Sequence, residues 1–256
     1  MNTEIKSKIN RLVSHWPRGT VFTQLHLSRS GYSHDLVKSY RKSQWIEQVG
    51  VGAFKLVNDQ IDWFGGLYAL QCQLNLPIHV GGKTALELKG YAHYGRLVEN
   101  VCFLFGAEGS RLPNWFRNYN WRVQIIYKAT GFLPMTVAKS FSEYQHKEFS
   151  IRISAPERAA LEMLYYVPDK QGFDEALKIM ETLVSLRPEL MQELLERCQL
   201  VKVKRLFMYM AERLALPWFR ELKTDLIDLG QGKRVIVTNG VLDKKYLITV
   251  AKEQLT

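Results

Sequence analysis

Residues 21–57 read VFTQLHLSRSGYSHDLVKSYRKSQWIEQVGVGAFKLV, and this stretch decides how the N-terminal part of the chain folds. Thr23 is a fair N-cap for a helix over Gln24–Ser30, because its hydroxyl can accept from an otherwise orphaned amide. Gly31 follows, the residue that takes positive φ at no steric cost. Ser33 is a strong N-cap for a second helix over His34–Gln44, with Leu36, Val37, Tyr40 and Trp45 turned inward. Trp45–Val49 and Ala53–Val57, joined by Gly50-Val51-Gly52, predict a β-hairpin with a glycine-rich tip. Upstream, Ile5, Ile9, Leu12, Val13 and Trp16 line one face of an amphipathic helix, which Pro17 and Gly19 end. Val21-Phe22 is a short extended piece. Helix, short strand, helix, Gly-centred turn, helix and hairpin is the order of a winged helix-turn-helix.

The charge distribution gives this segment a polyanionic partner. The chain of 256 residues carries a formal net charge of +10. Residues 1–58 hold nine Lys/Arg against three Asp/Glu, so the first quarter supplies more than half of the excess. A concentrated surplus of this kind suits DNA, RNA or anionic lipid. The second helix of a helix-turn-helix lies in the major groove. Its solvent face here offers Ser33, His34, Lys38, Ser39, Arg41 and Lys42. Arg29 ends the preceding helix and Lys55 lies on the wing. Together with Thr23 these are the candidate contacts to double-stranded DNA. Arg41 suits guanine O6 and N7, Lys38 and Lys42 suit phosphates, and Ser33 at a helix N-terminus can donate to a phosphate. The competing readings are a merely solvated lysine-rich face and a winged helix that binds protein.

Outside this segment the composition is that of an ordinary soluble domain, 46% apolar and 23% charged. The three cysteines fit neither a disulfide framework nor a zinc site and read as buried free thiols. The opening MNTEIKSKINRL has no apolar stretch of a signal peptide, which predicts a cytoplasmic protein. Trp63–Gly82 is free of charge for twenty residues, but Gln71, Gln73, Asn75, Pro77 and His79 favour a buried helix, strand and turn over a membrane span. Ile61, Phe64, Leu67, Tyr68, Leu70 and Leu74 predict that helix, Pro77 its end and Ile78–Val80 the strand. A helix over Thr84–Tyr94 and strands at Val101–Phe105, Trp121–Tyr127 and Phe149–Ile153 follow. Residues 155–222 read as helices over Phe173–Leu186, Pro188–Cys198 and Val203–Leu214, after one opened by Pro156. Lys202, Lys204 and Arg205 read as a solvated helix start beside a core stripe. Asn239-Gly240 predicts a closing hairpin between Arg234–Thr238 and Val241–Val250. The expected fold class is α+β: a winged helix-turn-helix over 1–58, then a larger mixed α/β domain over 59–256. The second domain has a mostly helical C-terminal part, a terminal β-hairpin and a sub-boundary near 154.

No chemistry of catalysis stands out. The six histidines show no His-x-x-x-His or His-Glu-x-x-His spacing, and no serine sits in a Gly-x-Ser-x-Gly elbow. Gly81-Gly82-Lys83-Thr84 matches the latter half of a phosphate-binding loop, but Pro77 stands where the first glycine belongs. Cys102 reads as packing in an apolar strand. Glu99 and Glu108 have no partner visible in sequence. We therefore assign no catalytic residue, cofactor or metal ligand.

Gly19-Thr20-Val21-Phe22-Thr23, Gly31-Tyr32-Ser33, Trp45-Ile46 and Gly50-x-Gly52-Ala53-Phe54 resemble the N-terminal winged helix of AbiEi-type antitoxins. Gly81–Leu86 and Gly90-Tyr91 are similar to the start of that family's second domain, and the likeness is looser beyond Asn100. The resemblance implies a transcriptional repressor that binds inverted repeats in its own promoter. It also implies that the C-terminal region counteracts a nucleotidyltransferase toxin, without required contact, in a type IV toxin–antitoxin (abortive-infection) system. One winged helix offers a small recognition surface, and no long heptad seam exists, so a monomer that pairs on DNA is expected. A ligand-responsive repressor and a DNA-targeted enzyme are the alternatives.

Overall fold

The computed structural model describes residues 2–91 and 101–251, with side chains from residue 8. Helix α1 (Asn2–Ser14) packs Ile9 and Leu12 inward, while Ile5 lies outside the described side chains. Trp16, just past the helix, stacks on Phe22 with ring centroids 4.0 Å apart. Strand β1 (Phe22–Thr23) leads into α2 (Gln24–Arg29), then α3 (His34–Lys42), β2 (Ile46–Gly50) and β3 (Ala53–Leu56). The three strands form one antiparallel sheet in the order β1-β3-β2. Element order and the β2–β3 hairpin are those read from the sequence, while the pairing of β1 with β3 comes only from the structure. Both caps form: the Thr23 hydroxyl accepts from His26 N and the Ser33 hydroxyl from Leu36 N. Gly31 between the helices has φ +86°. Trp45 differs from expectation. It is 46% exposed, because the chain leaves α3 through Gln44 at φ +55° and turns the following side chain outward.

The larger part is built on a mixed five-stranded sheet, flanked by helices. Its strands are β4 (Ile78–Val80), β5 (Val101–Gly106), β6 (Gln124–Ala129), β7 (Phe141–His146) and β8 (Phe149–Ser154), in the order β6-β5-β4-β8-β7. β5–β6 and β4–β8 run parallel; β4–β5 and β7–β8 run antiparallel. The apolar run after Asp59 is not one helix: α4 (Trp63–Tyr68) passes into a π-helical turn over Ala69–Gln73. Helix α5 begins at Gly82 rather than Thr84 and ends at Leu88, because the chain turns at Lys89 and Gly90 (φ +84°); residues 92–94 of the expected helix, like Glu99, lie outside the described residues. Helix α6 (Asn114–Asn118) and β7 carry too little periodicity to be read in sequence. β6 starts only at Gln124, since Arg122 sits at φ +58° and breaks the extended run.

Helices α7 (Pro156–Tyr165), α8 (Phe173–Thr182), α9 (Pro188–Arg197) and α10 (Val201–Arg213) follow, close to the predicted bounds. They share one apolar cluster with the sheet, so the cluster is continuous across residue 154. A smaller cluster, from Ile9 to Leu56, fills the N-terminal part.

Two expectations for the C-terminal part are corrected. The strands flanking Asn239-Gly240 do not pair with each other. β9 (Arg234–Val235) runs parallel to β11 (Ile248–Val250), and β10 (Val241–Asp243) pairs antiparallel with β11 from its other side. The closing hairpin is therefore β10–β11, and the Asn-Gly turn carries the chain across β11 instead. Arg205 is no solvated residue: it is 1% exposed and its guanidinium donates to the carbonyls of Leu229, Gly230, Gly232 and Leu247. Four carbonyl acceptors make a buried guanidinium tolerable, and they staple both the loop before β9 and the β10–β11 turn to α10. Of the cysteines, Cys102 and Cys198 are buried and Cys72 is exposed.

The two parts interlock. The buried Gln73 amide donates to Val21 O and accepts from Thr23 N at 2.8 Å each. Gly19 N donates to the Asp59 carboxylate, and Gly65 packs so tightly on Gly19 that a Cβ there would land on its carbonyl. Gly50 at the end of β2 lies against Trp115 of α6, where a Cβ would come within 2.7 Å of the Trp115 Cβ. The β2–β3 hairpin is braced by the larger part rather than free.

Candidate nucleic-acid interface

Val37 and Tyr40 anchor α3 in the small core, which turns the opposite face to solvent. His34, Lys38, Ser39, Arg41 and Lys42 are all exposed there, as is the capping Ser33. Asp35, the one acid of the helix, sits in its first turn, where the helix dipole favours it. Arg29, at the last turn of α2, is also exposed. Lys38, Arg41 and Lys42 line an open cleft of about 770 Å³ between α3 and β2, shared with Gln44, Glu47 and Gln48. The Arg41 guanidinium lies 5.9 Å from the Phe54 ring centroid, which holds it near the wing. In the neighbouring α2, burial and the charge of Arg29 keep the His26 imidazole below its ordinary pKa.

Two of the nine candidates are placed elsewhere. Thr23 is 3% exposed, and its hydroxyl is spent on the α2 cap and on Gln73, 3.2 Å away. It holds the helix-turn-helix in place and does not belong to the exposed face. Lys55 pairs across the strands with Glu47 at 2.7 Å and donates to Asp59 O at 2.7 Å. A lysine so engaged has little charge left for a phosphate. Glu47 faced it directly in the strand register, a relation that sequence shows only once the hairpin alignment is known. Arg29, Ser33, His34, Lys38, Ser39, Arg41 and Lys42 lie on the open surface.

The larger part holds a cluster that sequence reading did not bring together. His79 on β4 is completely buried and its Nε2 is 2.8 Å from Glu162 Oε1 of α7. Arg158, one turn earlier, donates to the same oxygen at 2.8 Å, while Ser154 Oγ and Gly82 N donate to Oε2. Arg158 also reaches the carbonyls of Leu133 and Pro134 and lies 4.5 Å from the Phe141 ring centroid. Burial raises the Glu162 pKa, but His79, Arg158 and Ser154 outweigh it and hold the carboxyl below its ordinary value. Burial holds His79 low, so the neutral imidazole is the folded form. Gly81 is needed here because a Cβ would collide with the Glu162 carboxylate. The Gly-Gly-Lys-Thr stretch thus serves close packing on Glu162, and Lys83 pairs with Glu175. The Arg158–Glu162 spacing of four in a helix was the available signal; His79 and Gly81 join it only through the sheet. The cluster is sealed from solvent, which suits a structural clamp. Among the described residues no group of three or more His, Cys, Asp or Glu could hold a metal, and no helix is long and apolar enough to cross a membrane.

An N-terminal unit with an exposed basic helix is thus joined to a larger α/β unit with a sealed polar cluster. Two family models match the chain. The family described as "Transcriptional regulator, AbiEi antitoxin, Type IV TA system" matches residues 99–251, and its "AbiEi antitoxin N-terminal domain" matches residues 5–97. The chain belongs to this family of antitoxin transcriptional regulators. Among solved structures, the RV2827C protein from Mycobacterium tuberculosis is similar in fold, with a TM-score of 0.64 at 14% identity. The match covers 96% of this chain and 90% of that one. Comparison with curated protein sequences gave no significant match.

Proposed function

We propose that the chain is a DNA-binding antitoxin that represses its own promoter. Residues 1–58 act as a winged helix-turn-helix, with Arg29, Ser33, His34, Lys38, Ser39, Arg41 and Lys42 turned to one duplex. The observation that carries this reading is the basic face of α3, where Lys38, Arg41 and Lys42 line one open cleft. Lys38 and Lys42 contact phosphates and position the helix, while Arg41 reads a base edge. Two copies pair on inverted repeats, because one small module has too little surface for useful specificity. The larger unit, 59–256, counteracts a nucleotidyltransferase toxin, acting in the cytoplasm without required contact with it. Membership in the antitoxin family supports that part. The test is binding of the purified chain to the duplex upstream of its own gene, against a scrambled duplex of equal length. Preference for the promoter duplex, lost in Arg41→Ala, is expected. Equal affinity for both duplexes would refute autorepression. Colony survival on toxin induction, with and without the chain, tests the antitoxin part; no rescue would refute it.

A further inference from the structure

From Gly109 to Ser142 the chain holds no Asp or Glu and five Lys/Arg, a run of positive charge outside the N-terminal unit. Three of the five, Arg111, Arg117 and Arg122, fall on α6 and its two flanking loops, and all three are exposed. The local pattern explains the exposure. Trp115, Phe116 and Trp121 are buried against one another, with ring centroids 5.0 to 6.5 Å apart, and Trp121 Nε1 donates to Phe116 O at 2.7 Å. With the aromatic rings inside, the arginines between and beside them are left on the surface. Asn114 Oδ1 accepts from Arg117 Nη2 at 2.7 Å, and Asn120 Oδ1 accepts from Arg122 N at 3.0 Å, where Arg122 stands at φ +58°. Both arginines are thus set by neutral partners. Among the described residues none of the three arginines pairs with a carboxylate.

This surface stands beside the wing. Gly50, at the end of β2, packs on Trp115, while Gln48, two residues earlier, lines the cleft of Lys38, Arg41 and Lys42. Two strand residues, one packing contact and half a turn of helix separate that cleft from Arg117, about 15 Å or about four base pairs of duplex. The wing itself offers no free cation there: its tip is Gly50-Val51-Gly52, and Lys55 is held by Glu47 and Asp59 O. A duplex seated on α3 that runs on past the wing therefore meets guanidinium groups mounted on a packed aromatic base of the larger unit. We propose that Arg117 and Arg122 grip phosphates of the duplex flanking the α3 site, so that the larger unit is a second DNA-holding arm. The proposal rests on the reading of α3 as the helix that contacts DNA. A planar guanidinium fork suits a phosphate, with which it makes two parallel bonds. Such contacts carry no base preference, so the arm adds affinity on flanks of any sequence while specificity stays with α3.

Anisotropy of the full chain with two labelled duplexes tests it, one cut to the α3 half-site and one extended by about one helical turn on each side. The unaltered chain should show a log–log salt slope steeper by about 1.8 on the longer duplex, two phosphates at about 0.9 each. Arg117→Gln with Arg122→Gly should abolish that difference and leave the short duplex bound as before; glycine keeps the positive φ at that position. Between about 50 and about 200 mM salt, the double variant should lose about 12-fold less affinity for the longer duplex than the unaltered chain does. Lys178→Ala removes an exposed charge on α8 and should leave both slopes as they were. A double variant that keeps the steeper slope on the longer duplex, while Lys38→Ala still weakens binding to both, would overturn the arm alone. An equal loss on both duplexes would overturn its placement beyond the wing. No binding to either duplex would overturn it together with the reading of α3. Single-stranded RNA of the same length, bound more tightly than the longer duplex through the same two arginines, would overturn the assignment to duplex DNA.

Discussion

If α3 lies on a duplex, the salt dependence of binding should report the cations that the structure leaves exposed. In the N-terminal unit three are turned to phosphates, Arg29, Lys38 and Lys42, while Arg41 is given to a base edge. Lys55 is excluded by its pairing with Glu47. With a slope of about −0.9 per neutralised phosphate, these three should contribute a log–log slope of about −2.7 for one protomer, and about −5.4 for two on an inverted repeat. Raising salt from about 50 to about 200 mM should then weaken one protomer by about 40-fold through them. Lys38→Ala should reduce their contribution to about −1.8 per protomer and the loss over the same range to about 12-fold. Lys55→Ala should leave the slope where it was, because that ammonium never met a phosphate. Anisotropy of a labelled promoter duplex, titrated at several salt concentrations, measures each slope. A Lys38→Ala slope equal to that of the unaltered chain would refute the placement of α3. A Lys55→Ala slope reduced as much as that of Lys38→Ala would refute the assignment of the wing lysine to Glu47.

Three further outcomes concern the larger part and its junction. Glu162→Gln should destabilise the chain by about 3–5 kcal/mol, since it strands the buried Arg158 charge; in urea unfolding, Glu162→Met with Arg158→Met should cost less than the two single changes added together. A Glu162→Gln loss below about 1 kcal/mol would contradict the clamp. Acid should weaken the fold in two stages. The unfolded chain protonates His79 below its ordinary 6.5 while the folded chain resists, so stability falls as pH drops from there. The depressed Glu162 adds stability that is present above its ordinary 4.5 and lost as pH falls through its lower folded value. Urea midpoints that rise from pH 7.5 to 5.5 would contradict this sign. Gln73→Ala leaves Val21 O and Thr23 N buried without partners, at about 1–3 kcal/mol each. Limited proteolysis should then cut earlier near residue 58, and an unchanged pattern would argue against the interlock. Because of that interlock, a fragment 59–256 would uncover Trp115, against which Gly50 packs, and point changes on α3 in the full chain are the cleaner test of separable functions.

Local signals were sufficient for the N-terminal unit. The hydroxyls of Thr23 and Ser33, the positive φ of Gly31 and the apolar spacing of α1 and α3 each act within a few residues, where the chain itself carries the information. The helices α7 to α10 were legible for the same reason, through Pro156 and Pro188 at first turns and apolar stripes between them. What depended on distant partners was not legible. Lys55 looks like any wing lysine until register sets Glu47 opposite it, and Thr23 looks exposed until Gln73 arrives from fifty residues away. Arg205 reads as a solvated helix start until three carbonyls of the loop before β9, and that of Leu247 before β11, close around it. Asn239-Gly240 reads as a hairpin, yet β11 takes the place between its two flanking strands, because sheet order is settled by long-range pairing and not by the turn. His79, Gly81, Ser154 and Glu162 meet only because β4, β8 and α7 pack on one another. The sequence alone determined most of the longer helices and where the positive charge lies. The tertiary structure decided which of those charges remain open to a ligand, because burial and ion pairing are properties of neighbours that the chain brings together only on folding.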